Sequence, residues 1–387
     1  MFPVHRVRRC RTGPLSDVFG RVRKGIAKLS KYYQNSHRFY HPSRSPPDRL
    51  TPLDQVAMNP IDLQNLVERT FVSYVEHHAQ IDSTNNRARR IALGAEPLRG
   101  HASPSLETLR TSLPCLIVAD RQSAGRGRGT NRWWTGPGSL AASLLMPPVA
   151  AWPQLFPRSG PTGFRSSQPD TPGEGTARFS SASSTSCDSG SFCTSECLVE
   201  SSTSGEARSV CECGPEFQPG LIGLAAALAV LRTVQPRLPG LSVGLHWPND
   251  VFAAGKKLAG ILVEVLNNGL VVVGIGVNTN NTVQEAPEEL RPLLTTLRVL
   301  SGQIHPHEHL LPELLEYLKD VFSQVVHSPD RLASDAHQWC LQRGQLLKVQ
   351  TAGGVIEGLC EGIGSRGELL LHTSNGLRQI FSGCILR

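Results

Sequence analysis

The chain has 387 residues, 39% of them apolar and 18% charged, with a formal net charge of +7. That length holds two or three domains of about 100–200 residues, with apolar residues enough for a sizeable core, so the chain is no small scaffold that needs disulfide or metal staples. Residues 1–50 carry twelve Lys or Arg against Asp17 and Asp48, a net of +10; the other 337 residues therefore stand at −3, and the basic pI near 9.0 is no argument for a polyphosphate-binding body. No run approaches the roughly 18 consecutive apolar residues of a membrane-spanning helix, so none is expected.

In chain order, residues 1–57 form a basic leader with Pro42, Pro46 and Pro47 and no sustained apolar periodicity, and are expected to be disordered. They fit an Arg-rich organelle transit segment and equally an over-extended start before Met58. Leu63, Leu66, Val67, Phe71 and Val75 then recur at helical spacing and predict one helix. SLAASLLM, Ser139 to Met146, reads as a buried strand, and LIGLAAALAVLRTV, Leu221 to Val234, as an Ala/Leu helix. Between them, residues 151–216 are dominated by Ser, Gly, Thr and Pro and read as a surface insertion into one fold. Of the ten cysteines, Cys187, Cys193, Cys197, Cys211 and Cys213 fall in this stretch without zinc spacing. The rest are isolated, as expected for thiols in a reducing compartment.

GILVEVL (260–266) and LVVVGI (270–275) flank Asn267, Asn268 and Gly269, a hairpin signal because the turn needs positive φ. Helical patterns follow at Leu310 to Val326 and Arg331 to Gln342. Beyond Gly344, short alternating runs are broken by Gly353-Gly354, Gly364, Gly367 and Asn375-Gly376, a rhythm that points to a small antiparallel barrel.

Three stretches carry chemistry. In AGRGRGTNRWW, Gly125, Gly127 and Gly129 alternate with Arg126 and Arg128, and Trp133 and Trp134 follow. Side-chain-free positions let backbone N–H groups close on an anion while guanidinium forks neutralise its oxygens, so the stretch reads as a phosphate clamp or, alternatively, as a flexible surface turn. In HWPNDVFAAGKKLAGILVE, Pro248, Asn249 and Asp250 make a stiff turn, and Lys256 and Lys257 precede an apolar strand, either to hold developing negative charge or as charged hairpin gatekeepers. In GIGVNTN, Gly274 and Gly276 with Asn278 and Asn280 suit a strand end where a ligand approaches the backbone, or a polar loop; the third glycine of a dinucleotide fingerprint is absent. The cluster His305, His307 and His309 lacks metal-ligand spacing and is expected to be a solvated helix start, so no protein metal site is predicted.

Together and in this order, IDSTNNRAR, QSAGRGRG…W, WPNDV…KKLAGILVE and GIGVNTN resemble the biotin–protein ligase family, from about Ile81 to Arg387 apart from the insertion. The resemblance implies an α+β fold: a mixed sheet with helices packed on one side, of the class II synthetase-like biotin/lipoate ligase type, followed by a small SH3-like barrel. Its domains would be the leader 1–57, a catalytic domain 58–336 interrupted by the insertion, and the barrel 337–387. It implies Ser83, Thr84, Asn85 and Gln122 at the biotin ring and tail, residue types that suit a neutral cyclic urea. Arg126 and Arg128 match the loop that closes over biotinyl-adenylate, with Gly125, Gly127 and Trp133 as parts of its cover. Lys257 matches the lysine that reaches the reacting carboxylate and α-phosphate, Asn249 and Asp250 the support of the nucleotide and its Mg²⁺, and Asn278 the adenine contact. Thr130 and Asn131 stand where the family commonly has a glycine and an arginine, and His246 replaces a frequent lysine.

The implied activity is ATP-dependent biotinylation of a lysine in a biotin carboxyl carrier domain. Biotin, ATP and accompanying Mg²⁺ would be its small-molecule partners, and a homodimer is compatible with the sequence. A lipoate–protein ligase shares the fold and chemistry; a biotin-sensing repressor would need a winged helix before the ligase domain, and Met58 to His78 offers one helix, so sequence-specific nucleic-acid binding is not expected. The cytoplasm is the expected location, or a mitochondrion or plastid if residues 1–57 are a transit peptide.

Overall fold

A computed structural model describes residues 62–158 and 219–386. The leader, Met58 and the insertion from residue 159 onward lie outside the described residues.

The described elements are, in chain order, α1 (Leu63–Arg69), β1 (Tyr74–His78), α2 (Thr84–Ala92), α3 (Leu106–Thr111), β2 (Cys115–Ala119), β3 (Leu140–Met146), α4 (Trp152–Leu155) and α5 (Pro219–Val234). They continue with β4 (Val243–His246), β5 (Asp250–Ala253), β6 (Lys256–Val265), β7 (Val271–Val277), α6 (Leu297–Ser301), α7 (His307–His327) and α8 (Pro329–Gln338). Last come β8 (Leu346–Thr351), β9 (Gly354–Ile363), β10 (Leu369–Thr373), β11 (Gly376–Ile380) and β12 (Cys384–Leu386).

The helix expected through Val75 ends at Arg69. Asp62 caps its start by accepting from Asn65 N–H at 3.0 Å, and the extended Thr70 ends it, its hydroxyl donating to Leu66 O at 2.6 Å. Val75 instead belongs to β1, because parallel pairing with β2 over Tyr74–His78 overrides the helical spacing. The insertion boundary also moves: Trp152 and Phe156 are fully buried and meet Phe322 with ring centroids 4.9 and 5.8 Å away, so these two residues belong to the core.

β1 to β7 form a mixed sheet in the order β1-β2-β3-β7-β6-β5-β4, parallel only between β1 and β2. Strict alternation sends Leu116, Val118, Leu144, Val271 and Val273 to a face covered by α5 and α7, and Cys115, Ile117, Leu145 and Val272 to the opposite face. Helices therefore do not lie on one side only: Ala88, Ile91 and Ala92 of α2 pack on that second face. α5 is buried almost all round, sandwiched between the sheet and α7. Pro219–Arg237 is long and apolar enough to cross a membrane by length and composition, contrary to expectation, yet 72% of that window is buried inside the fold.

β8 to β12 form a five-stranded antiparallel sheet in the order β11-β10-β9-β8-β12. The expected short strands are there, but the sheet is open rather than a closed barrel, with β11 and the three-residue β12 as its two edges. Trp247 ties it to the first sheet: its indole N–H donates to Gly367 O at 3.1 Å, and its backbone N–H donates to Gln342 Oε1 at 2.9 Å.

Candidate functional site

The second face of the seven-stranded sheet carries the site because its side chains shrink there. One cross-strand row runs Ala119, Ala141, Gly276, Gly260, Asp250, and the adjacent row runs Ile117, Ser143, Gly274, Leu262. Where neighbouring strands pair a glycine with a glycine, the pleated surface becomes a trough with backbone for a floor.

Trp133 lies over that floor. A Cβ at Gly276 would overlap its indole, at 2.6 Å from Nε1 and 2.7 Å from Cζ2; one at Gly260 would meet Trp133 Cζ3 and Lys257 Cε at 3.1 Å each and Asp250 Oδ1 at 3.2 Å. Lys257 Nζ sits 5.6 Å from the Trp133 ring centroid and pairs with Asp250 Oδ2 at 2.7 Å. The bulge between β5 and β6 at Val251/Phe252 sets Lys257 on this face, and backbone bonds to Leu293 and Thr295 hold the strand there.

Asn85 lies over Gly274, where a Cβ would overlap its amide oxygen. Ser83 caps α2, which fixes the next two residues at the trough's edge. Thr84 N–H donates to Gln122 Oε1 at 2.8 Å, the Thr84 hydroxyl lies 3.2 Å from the same oxygen, and Gln122 Nε2 donates to Thr135 Oγ1 at 3.0 Å. Ser143 Oγ is 2.7 Å from both Thr84 Oγ1 and Asn85 Oδ1. Asn85 Nδ2 donates to Glu264 at 3.0 Å, and Arg89 and Arg126 donate to the same carboxylate at 2.8 and 2.9 Å. Burial opposes ionisation of Glu264, but Asn85, Arg126 and Arg89 together outweigh it and hold the carboxyl below the usual range.

The Gly-Arg stretch folds back on itself. Trp133 N–H donates to Gly125 O at 3.0 Å, Gly127 N–H to Asn131 O at 2.8 Å and Asn131 N–H to Arg128 O at 3.2 Å, with Gly129 at φ +64°. Asn131 thus serves the turn through its backbone. Arg126 points into the site, whereas Arg128 donates to Gly383 O of the segment before β12, so the turn bridges the two sheets.

Other residues singled out in the sequence are engaged elsewhere. Asn249 Nδ2 donates to Ile261 O and its own carbonyl accepts from Ile261 N–H at 3.0 Å, so its side chain fixes β6. Asn278 is buried, its Oδ1 accepting from Asn281 Nδ2 at 3.2 Å. His305 and His307 are buried rather than solvated: they contact Ser301 Oγ and Thr279 Oγ1 at 2.7 and 2.8 Å, and burial pushes each down to about 4. Among the described residues no cluster of three His, Cys, Asp or Glu could hold a metal.

Ser143, Thr135 and Glu264 are site residues that sequence reasoning missed. Ser143 and Glu264 left a trace, each the one polar residue in an apolar strand run, SLAASLLM from Leu140 onward and GILVEVL.

The chain is similar to known proteins in sequence and in fold. Residues 214–280 match the family described as Biotin/lipoate A/B protein ligase family. A biotin--[acetyl-CoA-carboxylase] ligase of Mycobacterium tuberculosis is 38% identical over 170 residues, 43% of this chain and 62% of the relative. The bifunctional ligase/repressor BirA of Bacillus spizizenii is 30% identical over 167 residues, 42% of this chain and 51% of the relative. The matched region thus spans about half to three fifths of these relatives. In fold, the chain is similar to a biotin protein ligase from Aquifex aeolicus in complex with biotin and ATP, at TM-score 0.53 and 21% identity, covering 81% of this chain and 98% of that one. Matched segment, relatives and fold all show similarity to biotin/lipoate A/B protein ligases.

Proposed function

We propose that the chain is an ATP-dependent biotin–protein ligase that activates biotin as biotinyl-5′-AMP and transfers it to a lysine of a biotin carboxyl carrier domain. The observation that carries this reading is the convergence of Lys257, Trp133 and the Asn85–Ser143–Gln122 cluster on one glycine-floored trough. A polar cluster that offers both donors and acceptors suits a cyclic urea at one end, and a cation beside an aromatic suits a carboxylate and a phosphate at the other.

In the first step a carboxylate oxygen of biotin attacks the α-phosphorus of ATP, the bond to the bridging oxygen breaks, and pyrophosphate leaves. This displacement needs alignment and charge neutralisation more than protein acid–base groups. Lys257 supplies charge once phosphate draws it from Asp250, and Arg126 supplies more from the turn; Arg128 adds to it only on leaving Gly383 O. In the second step a carrier lysine amine attacks the acyl carbon and AMP leaves. The mixed anhydride hydrolyses in water, so a Gly-Arg turn with Trp133 over the trough serves to exclude solvent. Mg²⁺ would accompany the triphosphate on its phosphate oxygens, and Asp250, a partly buried carboxylate, would support it there.

The five-stranded sheet is read as the family's small C-terminal SH3-like domain, and residues 58–336 as the catalytic domain. The cytoplasm is the proposed location, with an organelle the alternative if the leader directs import; mass spectrometry of the mature N-terminus decides it. The activity is tested by incubating the full chain with ATP, Mg²⁺, biotin and a carrier domain and reading the carrier's intact mass. One added biotinyl group is expected, and an unchanged mass with biotin but a gain with lipoate would move the reading to lipoate ligation.

A further inference from the structure

Glu264 has no assigned part in the chemistry above, yet it receives more charged and amide donors than any other carboxylate in the trough. Its side chain is 14% exposed and accepts from Asn85, Arg89 and Arg126. We propose, resting on the biotin reading, that Glu264 is a positioning residue whose carboxylate sets the hydrogen-bond direction of the cluster that reads the urea ring.

The argument is a proton count. An ionised carboxylate only accepts, so the Asn85 amide must turn Nδ2 toward Glu264 and Oδ1 toward Ser143. Ser143 has a single hydroxyl proton, and Asn85 Oδ1 can only accept, so that proton goes to Asn85. The Thr84 hydroxyl then donates to Ser143 Oγ at 2.7 Å or to Gln122 Oε1 at 3.2 Å. At the far end Gln122 is fixed independently: Thr84 N–H can only donate, so it faces Gln122 Oε1, and Gln122 Nε2 turns to Thr135. An acceptor-only group at one end and a donor-only group at the other thus leave one arrangement of the two amides and of the Ser143 proton, in which only the Thr84 hydroxyl chooses between two acceptors. It presents one spare N–H from each of Asn85 and Gln122 and spare lone pairs on Ser143 and Thr84. Those are the complements of one carbonyl and two ring N–H groups. Lose the carboxylate's charge and Asn85 can flip, because a glutamine at 264 offers a donor to its Oδ1 as readily as an acceptor to its Nδ2.

Arg126 shares the carboxylate, so the test must separate the urea end from the carboxylate end. Calorimetric affinities are measured on the full chain without nucleotide for biotin and for biotinol, the alcohol that keeps the ring urea and lacks the carboxylate, in wild type, Glu264→Gln and Glu264→Asp. Glu264→Gln is expected to weaken both ligands equally, by about tenfold or more, with ATP affinity unchanged. Glu264→Asp keeps an acceptor-only end and is expected to retain more biotinol affinity than the glutamine variant. A loss confined to biotin would mean that Glu264 acts through Arg126, equal losses in the two variants would mean that acceptor polarity is irrelevant, and unchanged biotinol affinity would remove the role; each overturns the proposal. If wild type binds neither ligand, it is the biotin reading itself that fails.

Discussion

Replacing Gly274 with alanine isolates the contact between sheet and helix on which the polar end of the site depends. Gly274 sits mid-strand in β7, paired with Ser143 and Leu262, so alanine suits its backbone and the whole effect comes from the added methyl. That methyl would overlap Asn85 Oδ1 and lie 2.8 Å from Cγ and 2.9 Å from Nδ2. The amide must therefore move, and α2 cannot retreat with it, because Ala88 and Ile91 are packed against Ile117, Leu145 and Val272. What is lost is one neutral hydrogen bond to Ser143, worth about 1 kcal/mol, and one charge-assisted bond to Glu264, worth about 2. A destabilisation of about 3 kcal/mol follows, equivalent to about 6–12 °C in Tm. Gly276→Ala is the control: its methyl strikes Trp133, which belongs to a turn and not to a packed helix, so stability should fall by less than about 1 kcal/mol while adenylate formation collapses. Differential scanning calorimetry and ATP–pyrophosphate exchange on both variants read the two effects. If Gly274→Ala melts with wild type, the amide does not rest on that glycine and the reasoning about the trough is wrong.

Three further outcomes are expected. Lys257→Ala should cut biotin-dependent ATP–pyrophosphate exchange by about 10²–10³-fold with little change in Tm, since its partner Asp250 stays within reach of solvent. Glu76→Gln should cost about 2 kcal/mol in urea unfolding, because the fully buried Glu76 takes two bonds from Arg87, at 2.8 and 2.9 Å, and its charge is lost while Glu96, at 2.7 Å, still pairs with the guanidinium. Burial keeps His305 and His307 neutral, with folded values about 4 against 6.5 in the unfolded chain. The unfolded chain therefore binds more protons in between, so this stability is complete above pH 6.5 and drains as pH falls toward 4, by about 3 kcal/mol for His307. His307→Gln should lower the slope of unfolding free energy against pH across that window by about one proton, and an unchanged slope would show that His307 takes up no proton on unfolding.

The sequence by itself determined the elements whose local signals agree: the apolar runs of β3, β6, β7 and α5, the Asn-Gly hairpin between β6 and β7, and the glycine-broken strands of the C-terminal sheet. It also singled out Lys257, Arg126, Trp133, Thr84, Asn85 and Gln122, unusual residue types in close spacing that the fold brings to one trough. Tertiary structure decided the rest. Val75 is a strand residue because β2 lies beside it, and His305 and His307 are buried because Asn280 and Thr279 fold over them. Ser143 and Glu264 become site residues only when β3, β7 and β6 pair in register and bring positions more than a hundred residues apart to within hydrogen-bonding distance of Asn85. A linear pattern records what each residue prefers among its neighbours in the chain. Which face of a strand looks into a cavity is set by pairing across the sheet, and that information is not local.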